Sequence, residues 1–195
     1  MIKKIVIVGT LLFLSSKTFS QEHRLSAGMG IGTTSQIFDS FQVVGSAFSN
    51  VIFNGAQLNE ARNLGEFRLA YAYTPKNRWS FGGVVSYSTT DFDVNYQGSK
   101  IGEQTSNYYT VAAETTYAYM KKEKMRLYGL LGAGATFSND KVKDYSDKSE
   151  DSSNSSFFNF QVTPIGFSYG KNWGGFVEAG VGYRGLFSFG LFYDL

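Results

Sequence analysis

The sequence predicts an all-β protein: an eight-stranded antiparallel up-and-down transmembrane β-barrel, with a short helix in its first long loop. Three observations lead there. From residue 23 onward the chain resolves into eight alternating segments, apolar at every second position and bounded by turn residues. The connections between them are by turns short and long. Large aromatics collect at the two ends of the apolar faces, while the opposite faces are built from Gly, Ser, Thr and Ala. A strand of about ten residues is the length that crosses a bilayer at a tilt.

The first segment, "RLSAGMGIG", sets Leu25, Ala27, Met29 and Ile31 against Ser26, Gly28, Gly30 and Gly32. "EFRLAYAY" sets Phe67, Leu69, Tyr71 and Tyr73 against Glu66, Arg68, Ala70 and Ala72. In "WSFGGVVSYST" the apolar face is Trp79, Phe81, Val85 and Tyr87, and in "NYYTVAAETTYAY" it is Tyr109, Val111, Ala113, Tyr117 and Tyr119. The two faces of the fifth segment, "RLYGLLGAGATF", are hard to tell apart. The sixth, "FFNFQVTPIGFSYG", alternates cleanly through Phe158, Phe160 and Val162 and predicts a kink or bulge at Pro164. "GFVEAGVGY" and "GLFSFGLFYDL" complete the set, the last placing Phe187, Phe189, Leu191, Tyr193 and Leu195 on one face.

Composition narrows the class. A chain of 195 residues with 43% hydrophobic and 17% aromatic content suits one packed domain. No apolar run after residue 20 reaches the roughly 20 residues of a membrane helix. With Cys 0 there is no disulfide framework, thiolate metal site or lipoprotein cysteine. Residues 1–20 read as a secretory signal peptide: Lys3 and Lys4, an apolar stretch from Ile5 to Leu14, then Thr18-Phe19-Ser20 ahead of Gln21. The domain division is therefore 1–20 signal peptide and 21–195 barrel. Removing Lys3, Lys4 and Lys17 changes the balance from 18 cations against 16 anions to 15 against 16. The basic excess belongs to the leader, which leaves no support for a nucleic-acid partner.

The connections "TPKNR", "KKEK" and "YGKNWG" are short, whereas 34–64, 90–105 and 138–156 are long. That asymmetry is the one of outer-membrane barrels, with tight periplasmic turns and extended outer loops. "YRG" is short on the outer side and reads as a tight hairpin. Tyr73, Trp79, Tyr117, Tyr119 and Trp173 then form an aromatic girdle at the inner rim, together with Tyr193. Tyr87, Tyr109, Phe137, Phe158 and Phe187 form one at the outer rim.

Inward parity falls on Arg68, Glu66, Glu114 and Glu178. A buried charge must be paired. Arg68 is accordingly the expected shared cation of an interior network, with Tyr108, Tyr128 or Thr110 as further donors. Such a network fills a narrow barrel structurally and is not a catalytic carboxylate pair. In the first long loop, Ile37, Phe38, Phe41, Val44, Phe48, Val51 and Ile52 recur at helical spacing and predict an amphipathic helix near 36–53. "NDKVKDYSDKSEDSSNSS" reads as a solvated surface loop, without the Gly turn and closing Glu of a calcium site.

The ending "SFGLFYDL" resembles the carboxyl-terminal assembly signal of outer-membrane barrels, carried here by Ser188, Gly190, Tyr193 and Leu195. Leu195 departs from the Phe or Trp most common there. The wider resemblance, from Gln21 to Leu195, is to the small eight-stranded outer-membrane β-barrel proteins of Gram-negative bacteria. It implies an outer-membrane location and two partners, outer-membrane lipid and the barrel assembly machinery during biogenesis. Small barrels of this kind that modify lipid or cut protein use a histidine with Ser or Asp near the outer rim. Here the one histidine, His23, starts the first segment on the periplasmic side, so no hydroxyl gains a base. The expectation is a non-enzymatic barrel whose surface loops serve binding or envelope structure, with no cofactor and no metal, and a ligand or protein partner that the sequence does not name. The alternatives are a narrow pore or, further off, an outer-membrane lipid-modifying enzyme.

Overall fold

The computed structural model describes residues 22–35, 56–75, 78–96, 99–144 and 150–195. The described residues form eight strands: β1 (Glu22–Ile31), β2 (Ala56–Thr74), β3 (Trp79–Tyr96), β4 (Ser99–Lys121), β5 (Met125–Asp144), β6 (Glu150–Gly170), β7 (Trp173–Gly182) and β8 (Phe187–Asp194). Each pairs antiparallel with its chain neighbours, and β1 pairs with β8 to close the barrel. Closure leaves no free strand edge within the ring.

Register follows the alternation. Ala27 lies opposite Leu69 on one side and Leu191 on the other, so the apolar sets of β8, β1 and β2 share the outer face. The faces of β5 separate once it is paired: Leu131, Ala133 and Phe137 point out, whereas Leu130 and Thr136 are buried inside. Around Pro164 the pairing slips, between Tyr128/Leu130 on one side of β6 and Val162/Ile165 on the other, which is a bulge where proline supplies no ladder donor.

Strands β2 to β6 are longer than the expected segments. The connections expected at 90–105 and 138–156 are largely paired strand, because the β3–β4 ladder continues to Tyr96↔Ser99 and the β5–β6 ladder to Lys143↔Glu150. Backbone pairing does not depend on apolar alternation. Polar pairs such as Thr105–Asp91 at 2.8 Å, Asn139–Asn154 at 2.6 Å and Ser138–Ser155 at 2.7 Å sustain it where the hydrophobic period has ended. The leader 1–20 and the helix expected over 36–53, with Phe38, Phe41 and Phe48, lie outside the described residues.

Candidate functional site: the charged lumen and the inverted wall

The barrel interior is crossed by a network of two guanidinium groups and three carboxylates. Arg68 of β2 donates from Nη1 to Glu66 Oε2 at 2.9 Å and from Nη2 to Glu178 Oε2 at 3.1 Å. Ser188 of β8 bridges the same pair, accepting from Arg68 Nη2 at 3.1 Å and donating to Glu178 Oε2 at 3.0 Å. Tyr128 donates to Glu178 Oε1 at 2.8 Å. Of the expected donors, Tyr128 joins these carboxylates, whereas Thr110 hydrogen-bonds Thr136.

Glu114 is not held by Arg68. Its partners are Arg184, whose Nε donates to Oε1 at 2.7 Å and whose Nη2 pairs with Oε2, and Tyr183, which donates to Oε1 at 2.8 Å. Arg184 Nη1 also reaches both oxygens of Glu178, at 2.9 and 2.8 Å. The expectation of one cation shared by three carboxylates therefore needs correction: two arginines divide them, with Glu178 common to both. Parity along strands could not find Arg184, because it sits in the turn between β7 and β8 and that turn folds into the lumen.

Local sequence explains why the turn can enter. Gly185 adopts φ 92°, and a Cβ there would meet Ile31 O at 2.3 Å. At Gly30 a Cβ would lie 1.9 Å from Arg184 O, so the missing side chain is the seat of the turn. The rings of Tyr128 and Tyr183 lie over Gly166 and Gly132 in the same way. Beyond the network, Thr33, Thr34 and Ser35 are buried as well, and Thr34 donates to Asn159 Oδ1 at 2.9 Å. Two segments thus occupy the lumen on the side of the longer strands.

The wall is the inverse of a soluble protein's. Among the described residues, buried polar side chains outnumber buried apolar ones, while Leu69 (64% exposed), Val85 (53%), Val111 (55%) and Leu191 (63%) form a continuous outer band. So large an exposed apolar surface is not compatible with water. Aromatics bound the band at the short-turn end, where Trp79 contacts Tyr117 (centroids 4.9 Å) and Tyr117 contacts Tyr119 (6.0 Å). Trp173 packs on Tyr193 at 4.8 Å, and Tyr73 on His23 at 5.3 Å.

This is the architecture of a small transmembrane β-barrel, polar inside and apolar outside.

Among solved structures the barrel is similar to the attachment invasion locus protein Ail of Yersinia pestis, with 16% identity, 89% of this chain and 93% of that chain covered, and a TM-score of 0.41. The same protein in complex with the heparin analogue sucrose octasulfate aligns at 18% identity over 90% of this chain and 96% of that chain, with a TM-score of 0.43. No protein-family model and no curated protein matches the chain.

The residues of the terminal motif occupy distinct places. Ser188 is inside the network, and Tyr193 packs against Trp173 at the short-turn end. A Cβ at Gly190 would lie 2.2 Å from Ala27 O, at the β1–β8 seam. Leu195 is exposed, and its N–H donates to His23 O at 2.8 Å. His23 itself receives or gives a hydrogen bond with Tyr71 Oη at 2.6 Å, on the outer face near the short turns.

Proposed function

We propose that the barrel is a non-enzymatic outer-membrane protein that uses its extracellular end to bind a ligand or a protein partner. One observation supports this reading above the others. Strands β2 to β6 run 19, 18, 23, 20 and 21 residues, whereas β1, β7 and β8 run 10, 10 and 8. Crossing the membrane needs about 9–11 residues. The surplus of about ten residues per strand, at about 3.3 Å each, all lies on one end and forms a one-sided sheet that projects from the barrel. An envelope protein needing only a wall has no use for it.

The lumen supports the same reading. Arg68 and Arg184 with their carboxylates lie across it, which opposes a pore. His23 pairs with Tyr71 at the opposite rim from the projecting sheet, which opposes hydrolysis by a histidine-activated hydroxyl. Outer-membrane lipid against the apolar band and the assembly machinery during biogenesis are its remaining partners in this account.

The test shortens the sheet without touching the ring. Residues 92–104 and 142–151 are each replaced by Asn-Gly, a two-residue hairpin that rejoins the pairs Asp91↔Thr105 and Lys141↔Ser152. Cells carrying the full-length barrel should gain binding on arrays of glycans and extracellular proteins, and the shortened form should lose it at equal membrane yield. Equal binding by both forms would reject the reading.

A further inference from the structure

The lumen end opposite the projecting sheet carries a second charged constellation, separate from the Arg68–Arg184 network. Parity places it there: Glu22 and Arg24 of β1, Arg126 of β5 and Asp194 of β8 share the inward face. A register shift between Ala118 and Met120 brings Lys121 opposite Arg126, onto the same face.

One of its cations is neutralised. Arg24 pairs with Asp194 as a fork, Nε to Oδ1 at 2.6 Å and Nη2 to Oδ2 at 2.6 Å, with its guanidinium 3.7 Å from the ring centroid of Phe192. The next pairing is unbalanced. The Glu22 carboxylate receives Lys121 Nζ at 2.8 Å on both oxygens and Arg126 Nη2 at 2.9 Å, so two cations share one anion. In the turn beside them, Lys122 and Lys124 form no ion pair among the described residues, while Lys171 pairs with Glu123 at 3.1 Å. These groups bound a cup of about 570 Å³ lined by six cationic side chains, three carboxylate side chains and the α-carboxylate of Leu195, a formal excess of two positive charges.

The geometry points to a binding site for a compact multivalent anion, carrying phosphate or carboxylate oxygens, that enters along the barrel axis from the periplasmic side. Like charges held this close repel unless a counter-anion sits between them. The Arg126 side chain is only 12% exposed, so water screens it poorly and an anion gains more there than at an open surface. The cup is many times the roughly 30 Å³ of a water molecule, which leaves room for such a group. Glu22, Arg24, Lys121, Arg126 and Asp194 of its lining stand on inward faces, so a lipid headgroup cannot reach them through the barrel wall.

Titration of the full-length mature barrel with pyrophosphate, in micelles of a zwitterionic detergent, tests this by calorimetry. The expected result is saturable binding to one site that weakens as salt rises. Lys121→Gln with Arg126→Gln should weaken it at least tenfold, and Lys122→Gln with Lys124→Gln, which leaves the Glu22 cluster intact, should weaken it measurably. Lys141→Gln, which removes one positive charge at the far end of β5, should leave it unchanged. A parallel citrate titration separates phosphate from carboxylate preference. Absence of saturable binding to both probes overturns the proposal, as does binding that Lys141→Gln reduces as much as Lys122→Gln with Lys124→Gln. Response only to nanodiscs of anionic phospholipid, with no response to the soluble probes, overturns it too, by assigning these lysines to the membrane surface.

Discussion

Arg184 and Glu114, 70 residues apart in the chain, form a two-point ion pair across the lumen, with side chains only 5% and 7% exposed. A turn at one end of the barrel is thereby tied to the middle of β4 on the far wall. The same guanidinium holds Glu178, so its removal would leave two carboxylates short of a partner.

Arg184→Met should therefore destabilise the barrel by about 3–5 kcal/mol, the usual result of deleting one member of a buried pair. The measurement is the unfolding midpoint in detergent, followed by heat-modifiable gel mobility. Arg184→Met with Glu114→Leu should recover part of the loss, because the orphaned charge is removed with its partner. A single variant as stable as the wild type would mean that the pair is not buried.

Arg68→Ala should also be costly, at about 3–5 kcal/mol, since Glu66 and Ser188 lose their shared donor. Glu66→Gln added to Arg68→Ala should return part of the stability. An additive double variant, as unstable as the sum of its parts, would place Glu66 and Arg68 outside one network.

Two glycines should respond in opposite ways. At Gly30 a new Cβ would lie 1.9 Å from Arg184 O, while at Gly83 the nearest atom is Ala112 O at 3.4 Å. Gly30→Ala should reduce folded yield and Gly83→Ala should not. Equal yields would show that the turn does not rest on Gly30.

The closing strand supplies a biogenesis prediction. If Ser188, Gly190, Tyr193 and Leu195 act as the assembly signal, Tyr193→Asp with Leu195→Asp should lower insertion while export across the inner membrane continues. The readout is the ratio of membrane-inserted to periplasmic protein after a pulse of synthesis. An unchanged ratio would contradict that role.

What was legible in the sequence was the ring. Lipid outside and a narrow lumen inside impose opposite demands on alternate residues, so Leu69 and Arg68 declare their faces by chemistry alone. Beyond the apolar band that contrast disappears, and the polar ladders within 90–105 and 138–156 read as loops because backbone pairing leaves no hydrophobic period. Arg184 escaped for another reason. A turn has no parity, and only the glycine at position 30 hinted that something must fold against it. Within the network, Glu66, Arg68 and Glu178 could be placed by parity, but the division of carboxylates between two arginines depends on which side chains reach across the lumen.

An inverted barrel that spans the outer membrane with its short turns inside the cell envelope and its long strands outside can be tested from both sides of that membrane. Because the native chain has Cys 0, single cysteines can report on it without background. Ser153→Cys, Lys122→Cys and Val85→Cys are each exposed to a membrane-impermeant maleimide on intact and then permeabilised cells. The expected result is labelling of Ser153→Cys on intact cells, labelling of Lys122→Cys only after permeabilisation, and protection of Val85→Cys throughout. Labelling of Lys122→Cys on intact cells, or of Val85→Cys as readily as Ser153→Cys, would contradict it.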